Sequence, residues 1–108
     1  MTIVSIQDIG IAAAEQKLED ATWRAVESLG EVGKVSSEQE LEDETFYVAL
    51  SLEVMGKAAA GQKMVGATCR TIDYLKEVEN TAAKRGLTKA SQQLAKSLKK
   101  INEAFSQL

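Results

Sequence analysis

The chain has no proline and no histidine, one cysteine, and only 5% aromatic residues among its 108. Each shortage excludes something. Without proline the commonest helix breaker is gone, so long helices can form unhindered. Without histidine there is no imidazole for acid–base work near neutral pH, no His-based triad and no His–carboxylate metal site. Cys69 stands alone, so no intramolecular disulfide can form, a weak sign of a reducing compartment. With Ala and Gly supplying much of the apolar fraction, the core has to come from closely approaching helices rather than from bulky side chains.

Two further features are missing. The N-terminus carries no basic segment followed by a long apolar run, so a classical cleaved signal is not expected. The most apolar window, Phe46 to Cys69, is interrupted by Glu53, Lys57 and Lys63, which argues against a bilayer-spanning helix. The expected location is the cytoplasm, or outside it by a route that needs no cleaved signal peptide.

What is present is unevenly charged. The net charge of −3 divides into seven basic and fifteen acidic residues before Lys84, and Lys84, Arg85, Lys89, Lys96, Lys99 and Lys100 against Glu103 from there on. The two parts can attract one another within a molecule or between copies.

Apolar residues recur at helical spacing, and the expected fold is all-α, one domain over residues 1–108. A first helix is expected from about Ser5 to Leu29 or Val32, opened by Ser5 and Asp8 and stopped at Gly30 or Gly33. Its core stripe would be Ile11, Ala14, Leu18, Ala21, Ala25, Leu29 and Val32. Ser37-Glu-Gln-Glu40 reads as a capping box that opens a long central helix running to Arg85, about 73 Å at ~1.5 Å per residue. Gly86 is a natural left-handed terminator and Thr88 a natural N-cap. The last helix carries the stripe Leu87, Ala90, Leu94, Leu98, Ile101, Phe105 and Leu108. The first and last helices would pack antiparallel on the central one. A four-helix bundle results instead if the central helix breaks near Gly56–Gly66, but that stretch has no Asn, Asp, Ser or Pro to build a turn. No internal repeat is evident at this level.

The central helix carries one stripe along its length, Phe46, Leu50, Val54, Gly61, Val65, Thr68, Ile72 and Leu75. A second stripe, Leu41, Val48, Leu52, Met55 and Ala59, lies roughly opposite in its first half. Two short companions cannot cover both, so Leu41, Val48, Leu52 and Met55 are expected to form an uncovered, partner-binding flank. Trp23 points away from its helix's stripe and is either a further interface anchor or covered by a third helix.

No residue is assigned a catalytic, cofactor-binding or metal-binding role. Glu15, Glu19, Asp20, Glu27 and Glu31 fall on expected solvent faces and read as a solvated acidic surface, since acid–base work needs burial or a specific neighbour. Gly56-Lys-Ala-Ala-Ala-Gly61-Gln-Lys63 misses a phosphate loop: Gln62 intervenes before the lysine and no hydroxyl follows. Glu38–Glu44 lacks the alternation and turn glycine of a calcium loop. Cys69 reads as a structural thiol.

The expected function is therefore non-enzymatic: an assembly or partner-binding protein acting through helix packing, with a protein partner or self-association. The small, histidine-free, Ala/Ser/Gln-rich composition is similar to that of small helical proteins of bacterial secretion machineries, both secreted subunits and the chaperones that hold them. The Trp-x-Gly turn of small type VII substrates is missing, since Arg24 and Ala25 follow Trp23, and no family is assigned. The alternative is a regulatory protein that binds another protein or nucleic acid through its basic C-terminal helix. Scarce arginine, and lysines placed opposite the apolar stripe, weigh against nucleic acid.

Overall fold

The computed structural model describes residues 2–108 and contains five α-helices: α1 (Ile3–Glu15), α2 (Glu19–Glu38), α3 (Glu42–Gly61), α4 (Val65–Lys84) and α5 (Thr88–Phe105). The described residues include no strand. The all-α expectation holds, but the three-helix layout does not. The supposed first helix is two, divided at Gln16–Leu18. The supposed central rod is parts of three, divided at Gln39–Leu41 and again at Gln62–Met64. Gly30 and Gly33 stop nothing, because α2 runs through both, and Ser37 opens nothing, because it is buried near the end of α2. Neither Ser5 nor Thr88 caps a helix: Thr2 caps α1, and Leu87 occupies the N-cap position of α5.

All four turns are the same device. Lys17, Glu40, Lys63 and Gly86 have φ of 60°, 60°, 60° and 74°. Each follows a helix end and donates its backbone N–H to a carbonyl three residues back, at Ala14, Ser37, Ala60 and Ala83. The next residue (Leu18, Leu41, Met64 or Leu87) donates to the carbonyl five back, at Ala13, Ser36, Ala59 and Ala82, with N···O of 2.9 Å each time. That pair of bonds is the Schellman closure, which satisfies carbonyls a helix end would leave open. The apolar residue closing one helix is also the N-cap of the next, so each connection is three residues long. Thr22, Thr45 and Thr68 then donate their hydroxyls back to Leu18, Leu41 and Met64 at 2.7–2.8 Å, fixing the first turn of each new helix.

The turns recur every 23 residues (17, 40, 63, 86), and the packing recurs with them, which corrects the expectation of no internal repeat. Gly10 faces Ala25 and Met55, Gly33 faces Val48 and Val78, and Gly56 faces Thr71 and Ile101. In every case the partners lie 15 residues on, in the following helix, and 45 on, in the helix after that. A methyl group at any of the three glycines would run into the second partner or the first. Glycine is therefore what lets helix, next helix and next-but-one close at one point.

Each helix packs on its immediate neighbour and on the next-but-one, and among the described residues α1 touches neither α4 nor α5, and α2 does not touch α5. The result is a short two-layer solenoid, α1, α3 and α5 in one layer and α2 and α4 in the other, with Cα extents of 37 × 30 × 15 Å. The core lies between the layers. Val26, Leu29, Val48, Leu52, Met55, Leu75, Val78, Leu94 and Ile101 are fully buried there, each such side chain contributing about 1.5–3 kcal/mol by its removal from water.

This burial reverses the two stripes of the supposed rod as far as Val65, while Thr68, Ile72 and Leu75, farther along the expected core stripe, are buried as expected. Val48, Leu52 and Met55, expected on an uncovered flank, are sealed in the core, while Leu50, Val54 and Val65 of the supposed core stripe are exposed. In the first segment Leu18, Ala21 and Val32 are exposed, whereas Ala14, Ala25 and Leu29 are buried. The α5 stripe holds at Leu87, Ala90, Leu94 and Ile101.

Candidate functional site

The two broad faces of the slab differ in chemistry. On the α2/α4 face the centre is Arg70. Its guanidinium lies 4.4 Å from the centre of the Tyr74 ring and 6.0 Å from that of Trp23, distances at which a cation is drawn to an aromatic face. Its Nη2 donates to Glu27 at 3.3 Å and to the Tyr74 hydroxyl at 3.1 Å. Tyr74 in turn donates to Glu31 at 2.9 Å, and Lys34 bridges Glu31 at 3.8 Å and Glu77 at 3.2 Å. The Tyr74 ring is buried against Gly30, which has no side chain to obstruct it. Burial, then the bond to Glu31, pushes the Tyr74 phenol above its ordinary range, outweighing the opposing pull of Arg70. This face is a tied polar network with an acidic rim, and Trp23 belongs to it as a half-covered flank.

The α1/α3/α5 face is apolar in its middle. Tyr47, 58% exposed, stands on a ridge of α3 between two grooves. One, of about 380 Å³, lies toward α1 and is lined by Ile3, Val4, Gln7, Leu50 and Ser51. The other, of about 350 Å³, lies toward α5 and is lined by Glu42, Asp43, Phe46, Lys89, Gln93 and Lys96. Leu50 and Val54 continue the ridge one turn at a time, and Val4 is exposed beside it. Phe46 and Tyr47 meet edge to face, centroids 6.0 Å apart, an arrangement aromatic pairs favour. The groove floor is held by hydrogen bonds between neighbouring helices of this layer. Ser51 donates to Gln7 at 2.6 Å, and Glu42 accepts the backbone N–H of Lys89 at 3.1 Å. Glu42 thereby caps α5, whose own N-cap Leu87 has no side-chain acceptor.

Of the residues expected to bind a partner, Trp23 and Leu41 are on the surface, in different places, and Val48, Leu52 and Met55 are not. The structure does not bring the five together. It brings together Tyr47, Leu50, Val54 and Val4 instead, three of which lie on the central segment with Leu50 and Val54 inside the stripe taken for core. Of the C-terminal lysines, Lys89 and Lys96 line the α3/α5 groove beside Glu42 and Asp43, and Lys100 pairs with Glu53 at 3.5 Å.

Among the described residues no group of three or more His, Cys, Asp or Glu side chains is placed to hold a metal ion, and no helix is long and apolar enough to cross a membrane. No protein-family model matches the chain, and no similar protein is found among curated sequences or solved structures.

Proposed function

We propose that the protein is a small solenoid scaffold that binds another protein through the face formed by α1, α3 and α5. The observation that carries this reading is the placement of Tyr47, with Leu50 and Val54 below it, on a ridge between two grooves. Large apolar side chains gathered on one face and rimmed by polar groups are the usual mark of an interaction surface, and tyrosine is among the residues enriched where binding energy concentrates. Lys89 and Lys96 on one wall of the α5-side groove and Glu42 and Asp43 on the other favour an amphipathic partner helix with an apolar face and charges of both signs along its flanks. Trp23 and Leu41 fall outside this face and are not part of the proposed contact.

The test is a Tyr47→Asp/Leu50→Asp variant. Proteins cross-linked to the wild-type chain in native lysate should be lost with the variant and retained in high salt, while helix content and melting temperature stay unchanged. Retention of the same partners by a folded double variant would refute the reading. Steep loss of wild-type binding with salt would point to a mainly electrostatic ligand such as nucleic acid, and would refute it as well. Tyr47→Lys, a single surface change, serves if the double variant is unstable.

A further inference from the structure

The first turn is made of residues that favour the helix it interrupts. Gln16, Lys17 and Leu18 include no glycine or proline, and Lys17 is held at φ 60°, where its β-carbon is unfavourable. Ala14, Leu18, Ala21, Ala25 and Leu29 follow one another at helical spacing straight across it, yet Leu18 is 50% exposed and Ala21 is exposed too. The later turns differ. At the second, Glu44 stands in the place of Ala21, and the Ser36 and Thr45 hydroxyls hydrogen-bond at 2.8 Å in the buried space beside the turn. At the third, Met64 and Ala67 stand where Leu18 and Ala21 do and are already buried.

The helix before this turn is lightly held. α1 packs on α2 and α3 and, among the described residues, leaves α4 and α5 untouched. Its seat is made with small side chains, Gly10 against Ala25 and Met55, and Ala14 beside Ala59, Met64 and Ala67. Across it runs the hydrogen bond from Ser51 to Gln7. Parting α1 from the stack therefore disturbs α2 and α3 alone. Opening the second turn would also part α2 from α4, and opening the third would part α3 from α5.

We propose that the turn at residues 16–18 straightens and that α1 is exchanged between two copies, each α1 occupying the seat on the other's α2 and α3. The occupant is fixed by the fold. A second copy's α1 makes every contact that the chain's own α1 makes, Gly10 on Ala25 and Gln7 on Ser51 included. α1 and α2 then form one helix from Ile3 to Glu38, about 54 Å long. Two such helices run antiparallel, as α1 and α2 do within one chain, and Leu18 and Ala21 come to lie at the seam between them. Lys17 leaves the left-handed region in both copies, which offsets part of the entropy lost on association. Short, strained connections are the ones that exchange in this way, and reciprocal exchange closes at two copies. The groove beside Tyr47 lined by Ile3, Val4, Gln7, Leu50 and Ser51 is then walled by two chains. The exchange itself does not rest on the partner-binding reading.

Refolding the full chain from urea at high protein concentration, followed by gel filtration, tests the proposal. Monomer and dimer should both appear and interconvert slowly, because α1 must detach for one to become the other. In a Cys69→Ala background, Gln7→Cys with Ser51→Cys, joined by a short bis-maleimide, should link the two chains of the dimer and close within the chain in the monomer. Lys17→Gly relieves the turn and weakens the straightened helix, so it should lower the association constant roughly tenfold or more. Lys17→Val should raise it, since a β-branched residue resists that left-handed φ, and Glu40→Gly should leave it unchanged. No dimer after refolding, a dimer whose cross-links all stay within single chains, or a dimer indifferent to Lys17→Gly would overturn the proposal. Tyr47→Asp/Leu50→Asp should leave the exchange intact, so failure here and failure of the partner-binding reading are told apart.

Discussion

The Ser97 hydroxyl on α5 donates a 2.8 Å hydrogen bond to the carboxylate of Glu53 on α3, at a place in the stack that occurs three times. One repeat earlier the same two positions hold Gly30 and Tyr74, where the missing side chain makes room for the ring. Two repeats earlier they hold Gln7 and Ser51, again hydrogen-bonded, 44 residues apart like Glu53 and Ser97. One lattice point is thus filled by polar pairing at both ends of the slab and by shape in its middle.

Glu53 gives the acid limb of stability a definite sign. Burial alone would raise its carboxyl, but the Ser97 hydroxyl with Lys100 and Lys57 outweighs burial and holds it below its ordinary 4.5. A folded-state value below the unfolded one means the contribution is complete above about 4.5 and is lost as pH falls from there through the folded-state value. Glu53→Gln should flatten this part of the stability–pH curve. At neutral pH it should cost about 1 kcal/mol, since glutamine can still accept from Ser97. Urea unfolding at a series of pH values reads both effects.

Gly30 and Gly61 should respond oppositely to alanine. A methyl on Gly30 meets the ring of Tyr74, which is locked by Arg70 and Glu31, so Gly30→Ala is expected to destabilise by about 1–3 kcal/mol through overpacking. Nothing lies within 4 Å of the corresponding point at Gly61, at the end of α3. Gly61→Ala should stabilise by about 0.4–1 kcal/mol by restricting the unfolded chain. Thermal melts of the two variants should shift in opposite directions.

Leu50 and Leu52, two residues apart on α3, separate surface from core: 36% of one is exposed and none of the other. Leu52→Asp should abolish cooperative folding, because it buries a carboxylate with no partner among Leu and Val side chains. Leu50→Asp should leave the melting temperature within a few degrees of wild type. Circular dichroism with heating decides it, and equal loss in both would contradict the layer assignment.

That pair also shows what the sequence made legible. Helix content, the turn at Gly86 and the α5 stripe could be read directly, because proline is absent, glycine supplies the left-handed residue there, and the apolar spacing is regular. The other three turns carry Lys17, Glu40 and Lys63 in the left-handed position, so the usual glycine signal was missing. Glu40 reads as half of a capping box instead. A rod without the break at residues 39–41, and with the break near Gly56–Gly66 only as its alternative, carries the apolar phase through turns that reset it, and the stripes on α3 exchange places. That alternative break is present, at residues 62–64. In the rod's phase Leu52 falls on the partner-binding flank and Leu50 in the core. Gly33 reads as a stop, since its contacts with Val48 and Val78 belong to helices that the three-helix layout lacks. Gly56, inside a helix with no turn residues around it, reads as a point where a neighbour can approach closely, and Thr71 and Ile101 do. Trp23 lies off its helix's stripe by spacing alone, but Arg70, 6.0 Å from its ring, lies in a different helix and is placed only by the fold.

The four turns supply the sharpest remaining test, because they differ in side chain and not in hydrogen bonding. Lys63 holds φ at 60° where Gly86 holds 74°, and a residue with a β-carbon in that region costs roughly 1–2 kcal/mol. The same closure bonds form in both places, from Lys63 to Ala60 and from Gly86 to Ala83. Lys63→Gly should therefore stabilise, by about 0.5–1 kcal/mol after the greater entropy of an unfolded glycine is subtracted. Gly86→Ala should destabilise by a similar amount, since nothing lies within 4 Å of the added methyl and only the backbone objects. Chemical denaturation of the two variants and of their combination checks this. The turns share no partner, so the two effects should add to within about 0.5 kcal/mol. A stabilising Gly86→Ala, or a neutral Lys63→Gly, would mean that the turn is not held in this conformation in solution.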